Sequence, residues 1–303
     1  MKRFITGMMI SISFLCSCSS PPAYLEAELF FEPGIEPDSW VLIPSGESFM
    51  GLHKEEKNVD YNYEIMVTDV TSAQYAEYLN QALADGNVKI EGDQIVGYYP
   101  GDQFLNHEHE LEITAGDWLY VPLKDPGLRL ISQQGSFNAQ PLNGNHPLTM
   151  VTLFGTKAYC DFYGQRLPSE LEWDKAARGV DSRPYPWGEK IDKKDANYYS
   201  SHDIFVKVAS GSGGTSPVGF YNGRTYHGFQ PADSPSPYGL YDMDGNVWQW
   251  TGDVYEGQHY RYLRGGSKVN YAYNLRVWTR TSAGPDYFSP AVAFRCARDV
   301  PDQ

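Results

Sequence analysis

Residues 164–173 read Gly164-Gln165-Arg166-Leu167-Pro168-Ser169-Glu170-Leu171-Glu172-Trp173, one helix end followed at once by another helix start. Gly164 supplies the left-handed residue that stops a helix. Ser169 with Glu172 three positions on forms a capping box, and Pro168 sharpens the entry to it. The stretch therefore predicts one helix ending near Tyr163 and another running from Ser169 to about Arg178. Upstream, Thr152 can cap the first of these, from about Leu153, and Cys160 lies on it. Still earlier, Thr71-Ser72-Ala73-Gln74 is a second capping box, opening a helix through about Gln81. Tyr75, Tyr78 and Leu79 give that helix its apolar face.

Outside these helices the sequence speaks of short strands and turns. Trp40-Val41-Leu42-Ile43-Pro44 reads as a strand, and Ser45–Gly51 as a turn and a second strand. Residues 83–147 read as an irregular insertion packed on the core, with Ile95–Tyr99 and Trp118–Val121 as its candidate strands. Residues 210–214 (SGSGG) are loop-like, and residues 238–300 alternate short strands with turns. Composition agrees: of 303 residues, 15% are aromatic, with 23 Tyr, 29 Gly and 20 Pro, so the interior leans on ring packing. A mean hydropathy of -0.48 excludes a polytopic membrane protein.

The first residues read as a processing signal. Lys2 and Arg3 form a basic start, and Phe4–Leu15 is an apolar run too short to span a bilayer. Leu15-Cys16-Ser17-Cys18 resembles a bacterial lipobox with Cys18 as the lipidated residue. The expected organisation is a signal peptide at 1–17, a proline-containing tether at 18–38 and one domain at 39–300, lipid-anchored in a bacterial cell envelope. Cleavage before Cys18 removes Lys2 and Arg3 and no acid, taking the formal net charge from -14 to -16. Such a balance speaks against nucleic acid as a partner, because phosphate binding needs a basic face. Only Cys160 and Cys296 follow the signal region, and an exported chain favours a disulfide between them. A loop of that length is worth about 4–5 kcal/mol in chain-entropy models.

The order of motifs resembles the formylglycine-generating enzyme family, the sulfatase-modifying factors. The pieces are Ile43-Pro44-Ser45-Gly46 through Met50-Gly51, Val67–Thr71 with Gln74-Tyr75, His146-Pro147, Ala158-Tyr159-Cys160 and the opening stretch 164–173. After them come Tyr185-Pro186-Trp187-Gly188, Tyr238–Trp250, Arg264-Gly265-Gly266-Ser267 and Ala293-Phe294-Arg295-Cys296-Ala297. The resemblance covers about residues 40–298 and implies an α+β, C-type-lectin-like fold with little regular secondary structure. It also implies a disulfide between Cys160 and Cys296.

In catalytic members of that family two cysteines follow the Arg-Gly-Gly-Ser motif and bind copper. Soft thiolates suit Cu(I). Here those positions fall on Asn270 and Leu275, and a one-residue slip finds no sulfur either. The family's Asn before the final Phe-Arg-Cys is replaced by Ala291 or Val292. This speaks against copper-oxidase chemistry. The resemblance implies a calcium site at Asp242 and Gln249 with the carbonyls of Gly245 and Val247, and a second at Asn197 with the carbonyl of Tyr198. Gln249 stands where the family has an acid, and Asp242 where it commonly has Asn.

Other constellations fit less. His107-Glu108-His109-Glu110 is metal-like in composition but reads as an exposed loop, and no His-x-x-x-His-x-Glu, P-loop or Gly-x-Ser-x-Gly occurs. Arg264, Ser267, Asn270, Tyr271, Tyr273 and Arg276 combine aromatics with planar donors, the composition of surfaces that recognise peptides or sugars. Trp248 and Trp250 read as core, while Tyr271 and Tyr273 stand open between core and surface. The expectation is a membrane-anchored, non-catalytic module for an envelope protein, peptide or glycan partner. The alternative is an enzyme of the same superfamily with divergent oxidoreductase chemistry.

Overall fold

Each helix begins where its cap stands. The computed structural model describes residues 32, 34–104, 110–201, 214–226, 228–255 and 259–301, within the unit Phe31–Gln303. The signal segment with Cys18, most of the tether, and His107-Glu108-His109 lie outside the described residues. Helix α1 (Ser72–Ala84) is capped by Thr71, whose hydroxyl accepts from Gln74 N at 3.2 Å while Gln74 Oε1 accepts Thr71 N–H at 2.8 Å. It outruns the expected end because Ala82 still sits in the core and Leu83 packs against it. Helix α2 (Leu153–Phe162) starts from Thr152, with Gly164 after it at φ 69°. Helix α3 (Glu170–Arg178) has the Ser169–Glu172 capping box.

The strands are β1 (Trp40–Ile43), β2 (Gly46–Met50), β3 (Glu55–Val59) and β4 (Tyr63–Met66) before α1. Between α1 and α2 run β5 (Val88–Glu91), β6 (Gln94–Tyr99), β7 (Gly116–Pro122), β8 (Leu130–Gln133) and β9 (Ser136–Ala139). After α3 come β10 (Trp248–Val254), β11 (Arg261–Arg264), β12 (Arg280–Ala283), β13 (Val292–Ala293) and β14 (Ala297–Asp299). They form small sheets ordered β1-β4-β14, β12-β11-β10-β13, β2-β3, β5-β6-β7 and β8-β9. All pairings are antiparallel except β10 with β13. β14 pairs with β4 (Ala297 opposite Ile65), so the end of the domain closes on its beginning.

Segment 83–147 is more regular than its sequence implies. It builds the β5-β6-β7 sheet and the β8-β9 hairpin. Each strand is short, so period-2 alternation is barely legible. Tertiary burial of Val88, Ile95, Tyr99, Tyr120, Val121 and Phe137 against α1 and α2 supplies the order that local pattern does not. Tyr75 stacks on Tyr159 at 5.6 Å, and Tyr78 meets Tyr159 edge-on at 5.4 Å, joining α1 to α2 through rings. A second core cluster gathers Ile43, Tyr63, Ile65, Trp173, Leu240, Met243 and Val277. Cys160 on α2 and Cys296 before β14 are joined in a disulfide with Cα atoms 5.8 Å apart.

One polar tie holds the insertion to the β10-β11 sheet. His259 Nδ1 lies 2.9 Å from Asp102 Oδ2, and its Nε2 lies 2.6 Å from Glu110 Oε1. Arg261 also donates to Asp102 at 2.7 Å, and Tyr99 donates to its other oxygen at 2.6 Å. Burial disfavours the charged imidazole, but the two carboxylates outweigh it and raise the His259 pKa above 6.5. A raised histidine stabilises the fold fully below its unfolded pKa, and that contribution fades as pH rises through the folded one. Comparing urea unfolding of the wild type with His259→Gln should therefore give a difference that is full below pH 6.5 and shrinks above it. A difference that grows with pH would contradict the tie.

Candidate functional site

The Arg264-Gly265-Gly266-Ser267 loop is held from beneath. Arg264 ends β11 and points inward, 1% exposed. Its Nη1 donates to Glu170 Oε1 at 2.6 Å, and its Nη2 to Asp174 Oδ2 at 2.8 Å and to the Val277 carbonyl. The guanidinium also lies 4.9 Å over the Trp173 ring. Arg178 pairs with the other oxygen of Asp174 at 2.5 Å, and Arg280 reaches Glu170 at 3.1 Å from the solvent side. Burial opposes the Arg264 cation, but Asp174 and Glu170 more than restore it. The two glycines follow from this docking. Gly265 (φ 92°) would put a Cβ 2.4 Å from the Met243 carbonyl, and Gly266 (φ 70°) one 3.0 Å from the Asn274 carbonyl.

Arg264 and Ser267, expected as partner contacts, are thus both buried and shape the loop from inside. The Ser267 hydroxyl donates to Asn270 Oδ1 at 2.7 Å, while the Asn270 N–H and carbonyl bond to Ser267 O and Tyr199 N. The amide at the first family cysteine position is spent on holding the turn. Leu275, at the second, closes a 3-10 turn (Ala272–Leu275) and is fully buried with Tyr185, Ala196 and Tyr198. A hydrocarbon in that cluster stabilises by packing and offers no donor.

The outer face differs. Tyr271 and Tyr273 are 62% and 64% exposed, which decides the question the sequence left open. Tyr199, also exposed, tilts against Tyr271 with ring centroids 4.8 Å apart. Arg276 lies 4.4 Å over the Tyr273 ring and 5.6 Å from Trp278. Sequence reasoning missed Tyr199, because nothing in its local pattern says that it meets the ring of Tyr271, seventy-two positions away. Trp250 is fully buried as expected, and Trp248 packs against the core from a half-buried place on β10.

The two expected calcium sets behave differently. Asp242 accepts Gly219 N–H at 2.6 Å through Oδ2 and gives its own carbonyl to Gln249 Nε2 at 2.6 Å. Gln249 Oε1 accepts both Trp173 Nε1 and Arg295 Nε at 2.8 Å, and the Gly245 carbonyl accepts Val247 N–H. Arg295 also donates to the Met66, Val67 and Tyr241 carbonyls and pairs with the buried Asp69 at 3.4 Å. A guanidinium already sits among these oxygens, and Gln249 is committed at both ends. This donor set does not fit a bound calcium ion. Burial pushes the Asp242 carboxyl up to about 6 and that of Asp69 up to about 8. Asn197 is another matter. Its Nδ2 donates to Gly214 O and Asn246 Oδ1, while its buried Oδ1 has no hydrogen-bond partner. The Tyr198 carbonyl beside it accepts from Ser201. Among the described residues no group of three or more His, Cys, Asp or Glu is placed to hold a metal.

The family model for the sulfatase-modifying factor enzyme 1-like domain matches residues 27–300. The chain belongs to this family. Mouse formylglycine-generating enzyme is 29% identical over 255 residues, covering 76% of this chain and 64% of its own. The mouse protein named inactive C-alpha-formylglycine-generating enzyme 2 is 36% identical over 162 residues, covering 50% and 48%. The chain thus spans between about half and two thirds of these relatives' length. The structure of PvdO from Pseudomonas aeruginosa superposes with a TM-score of 0.53 at 20% identity, over 86% of this chain and 94% of that one. The family fold is the α+β, C-type-lectin-like arrangement of few helices and small sheets described above.

Arg264 is the test of how the loop is held. Arg264→Met leaves Glu170 and Asp174 buried beside a hydrocarbon, at a cost of about 3–5 kcal/mol. Tyr273→Ala, on the exposed face, stays within about 0.5 kcal/mol. Equal losses in chemical denaturation would show that Arg264 does not anchor the loop.

Proposed function

We propose that this chain is a recognition module on the sulfatase-modifying factor scaffold, held at a bacterial envelope surface by lipidated Cys18. It binds a peptide, glycan or protein partner rather than performing thiol-copper oxidation. The observation that carries this is the contrast within one loop. Asn270 and Leu275 are spent on structure, while Tyr271 and Tyr273 stand in solvent on a base locked by Arg264. Exposed aromatics preordered by ring contacts lose little entropy on binding, and they are enriched at binding hot spots. The likeness to a relative named as inactive supports the same reading.

Replacing Tyr271 and Tyr273 together with Ala should abolish capture of partners crosslinked in membranes, with an unchanged unfolding midpoint. Tyr98→Ala, a tyrosine 63% exposed elsewhere, should leave capture intact. Undiminished capture by the double variant defeats the site. Conversion of a sulfatase-derived cysteine peptide to its aldehyde, or stoichiometric copper or iron in the purified protein, defeats the non-catalytic reading.

Calcium enters this reading only at Asn197, whose buried side-chain oxygen is free to accept a cation. Calcium added after chelation should raise the unfolding midpoint of the wild type and not of Asn197→Ala, and Gln249→Ala should keep the response. A wild type indifferent to calcium would remove the ion from the account.

A further inference from the structure

A cavity of about 320 Å³ lies between β1, α1 and the end of α2, and no residue of the Ser267 loop lines it. Met66 and Tyr159, both buried, line it from the core side, and the exposed Asp38, Glu77 and Tyr163 line it where it meets solvent. Trp40 begins β1, two residues after Asp38. Gln74, Glu77 and Gln81 fall at i, i+3 and i+7 on α1, so one polar stripe of that helix faces the cavity. Tyr159 and Tyr163 stand four positions apart at the end of α2, with ring centroids 5.1 Å apart. Gln74 Nε2 donates to Asp38 Oδ1 at 2.7 Å, while its Oε1 accepts the Thr71 N–H. The cap of α1 and the wall of the cavity thus share one side chain.

The lining holds acids and no lysine or arginine. Glu77 accepts from Gln81 Nε2 at 3.2 Å, and among the described residues neither Asp38 nor Glu77 has an ion-pair partner. Other surface acids do: Asp161 meets Lys157 at 3.0 Å, and Glu64 meets Arg298 at 2.6 Å. Arg298 lies 4.3 Å over the Trp40 ring, but its charge is spent on Glu64 and it does not line the cavity. Gln165 lines it too, and its buried Oε1 has no hydrogen-bond partner. Carboxylates alone would be a solvated surface. Here they share an enclosed space with Trp40, Tyr159 and Tyr163, whose ring faces attract cations and whose hydrocarbon suits an apolar stem.

We propose that this cavity binds a primary ammonium group on an alkyl stem, the chemistry of a lysine side chain or a free alkylamine. Asp38 and Glu77 supply the counter-charge, and the three N–H donors of the ammonium answer a lining rich in acceptors. The rings take the stem and add cation–π attraction. The volume stands at the small end of ligand sites, which suits one such chain. The proposal does not rest on the partner-recognition reading, since the cavity is built without Tyr271 or Tyr273.

The test is calorimetric titration of the full-length protein, in detergent, with n-butylammonium chloride, N-acetyl-lysine methylamide and butan-1-ol, at ionic strength held constant with sodium chloride. n-Butylammonium should bind saturably at one site, and the neutral alcohol of similar shape should not. The first two probes carry the same group on the same four-carbon stem. Tighter binding of the lysine derivative assigns a peptide as the source, and equal or weaker binding assigns a free amine. Asp38→Asn and Glu77→Gln are isosteric changes at exposed positions, so the unfolding midpoint should hold. Each should weaken n-butylammonium at least threefold and the double variant at least tenfold, while Glu47→Gln on the exposed side of β2 leaves it unchanged. No saturable heat with n-butylammonium overturns the site. So does equal binding of butan-1-ol, or unaltered binding in the double variant.

Discussion

The loop at the centre of this molecule depends on one buried cation. Arg264 bonds to Glu170 and Asp174 on α3 and to the Val277 carbonyl, and it lies over Trp173. α3 is itself fixed by Ser169, and Trp173 is the ring around which the second core cluster packs. The position of the Ser267 loop is therefore set by a helix nearly a hundred residues earlier in the chain. The two glycines, lacking side chains, then let the backbone pass close to the Met243 and Asn274 carbonyls. Charge sets the depth of the loop, and the missing side chains set its path.

A second buried guanidinium, that of Arg295, does comparable service through Gln249. Arg295 and Trp173 converge on the one amide oxygen of Gln249, whose nitrogen reaches the Asp242 carbonyl. Strand β10, the Asp242 turn and the segment before β14 are tied by this single side chain. Because glutamine carries both an acceptor and a donor, this one side chain can join Trp173 and Arg295 to the Asp242 carbonyl. Asp69 remains as the carboxyl that faces Arg295.

What the sequence disclosed was mostly local. The caps at Thr71, Thr152 and Ser169 mark their helices because each is a short-range exchange of hydrogen bonds, written in four consecutive residues. The absence of sulfur at residues 270 and 275 was equally plain. The strands of the insertion were harder, since Val88, Ile95 and Phe137 are ordered by α1 and α2 rather than by their own alternation. The exposure of Tyr271 and the meeting of Arg129 with His146 were illegible. Each depends on segments far apart in sequence, and no local period encodes such an encounter.

The disulfide adds a property that neither the sheets nor the helices provide. Cys160 and Cys296 lie 136 positions apart in sequence, and the segment between them includes the Asp242 turn and the whole Ser267 loop. A single backbone cut anywhere in that span leaves both pieces covalently joined. A nicked molecule keeps its mass under non-reducing conditions and separates into fragments only when the sulfur bridge is reduced.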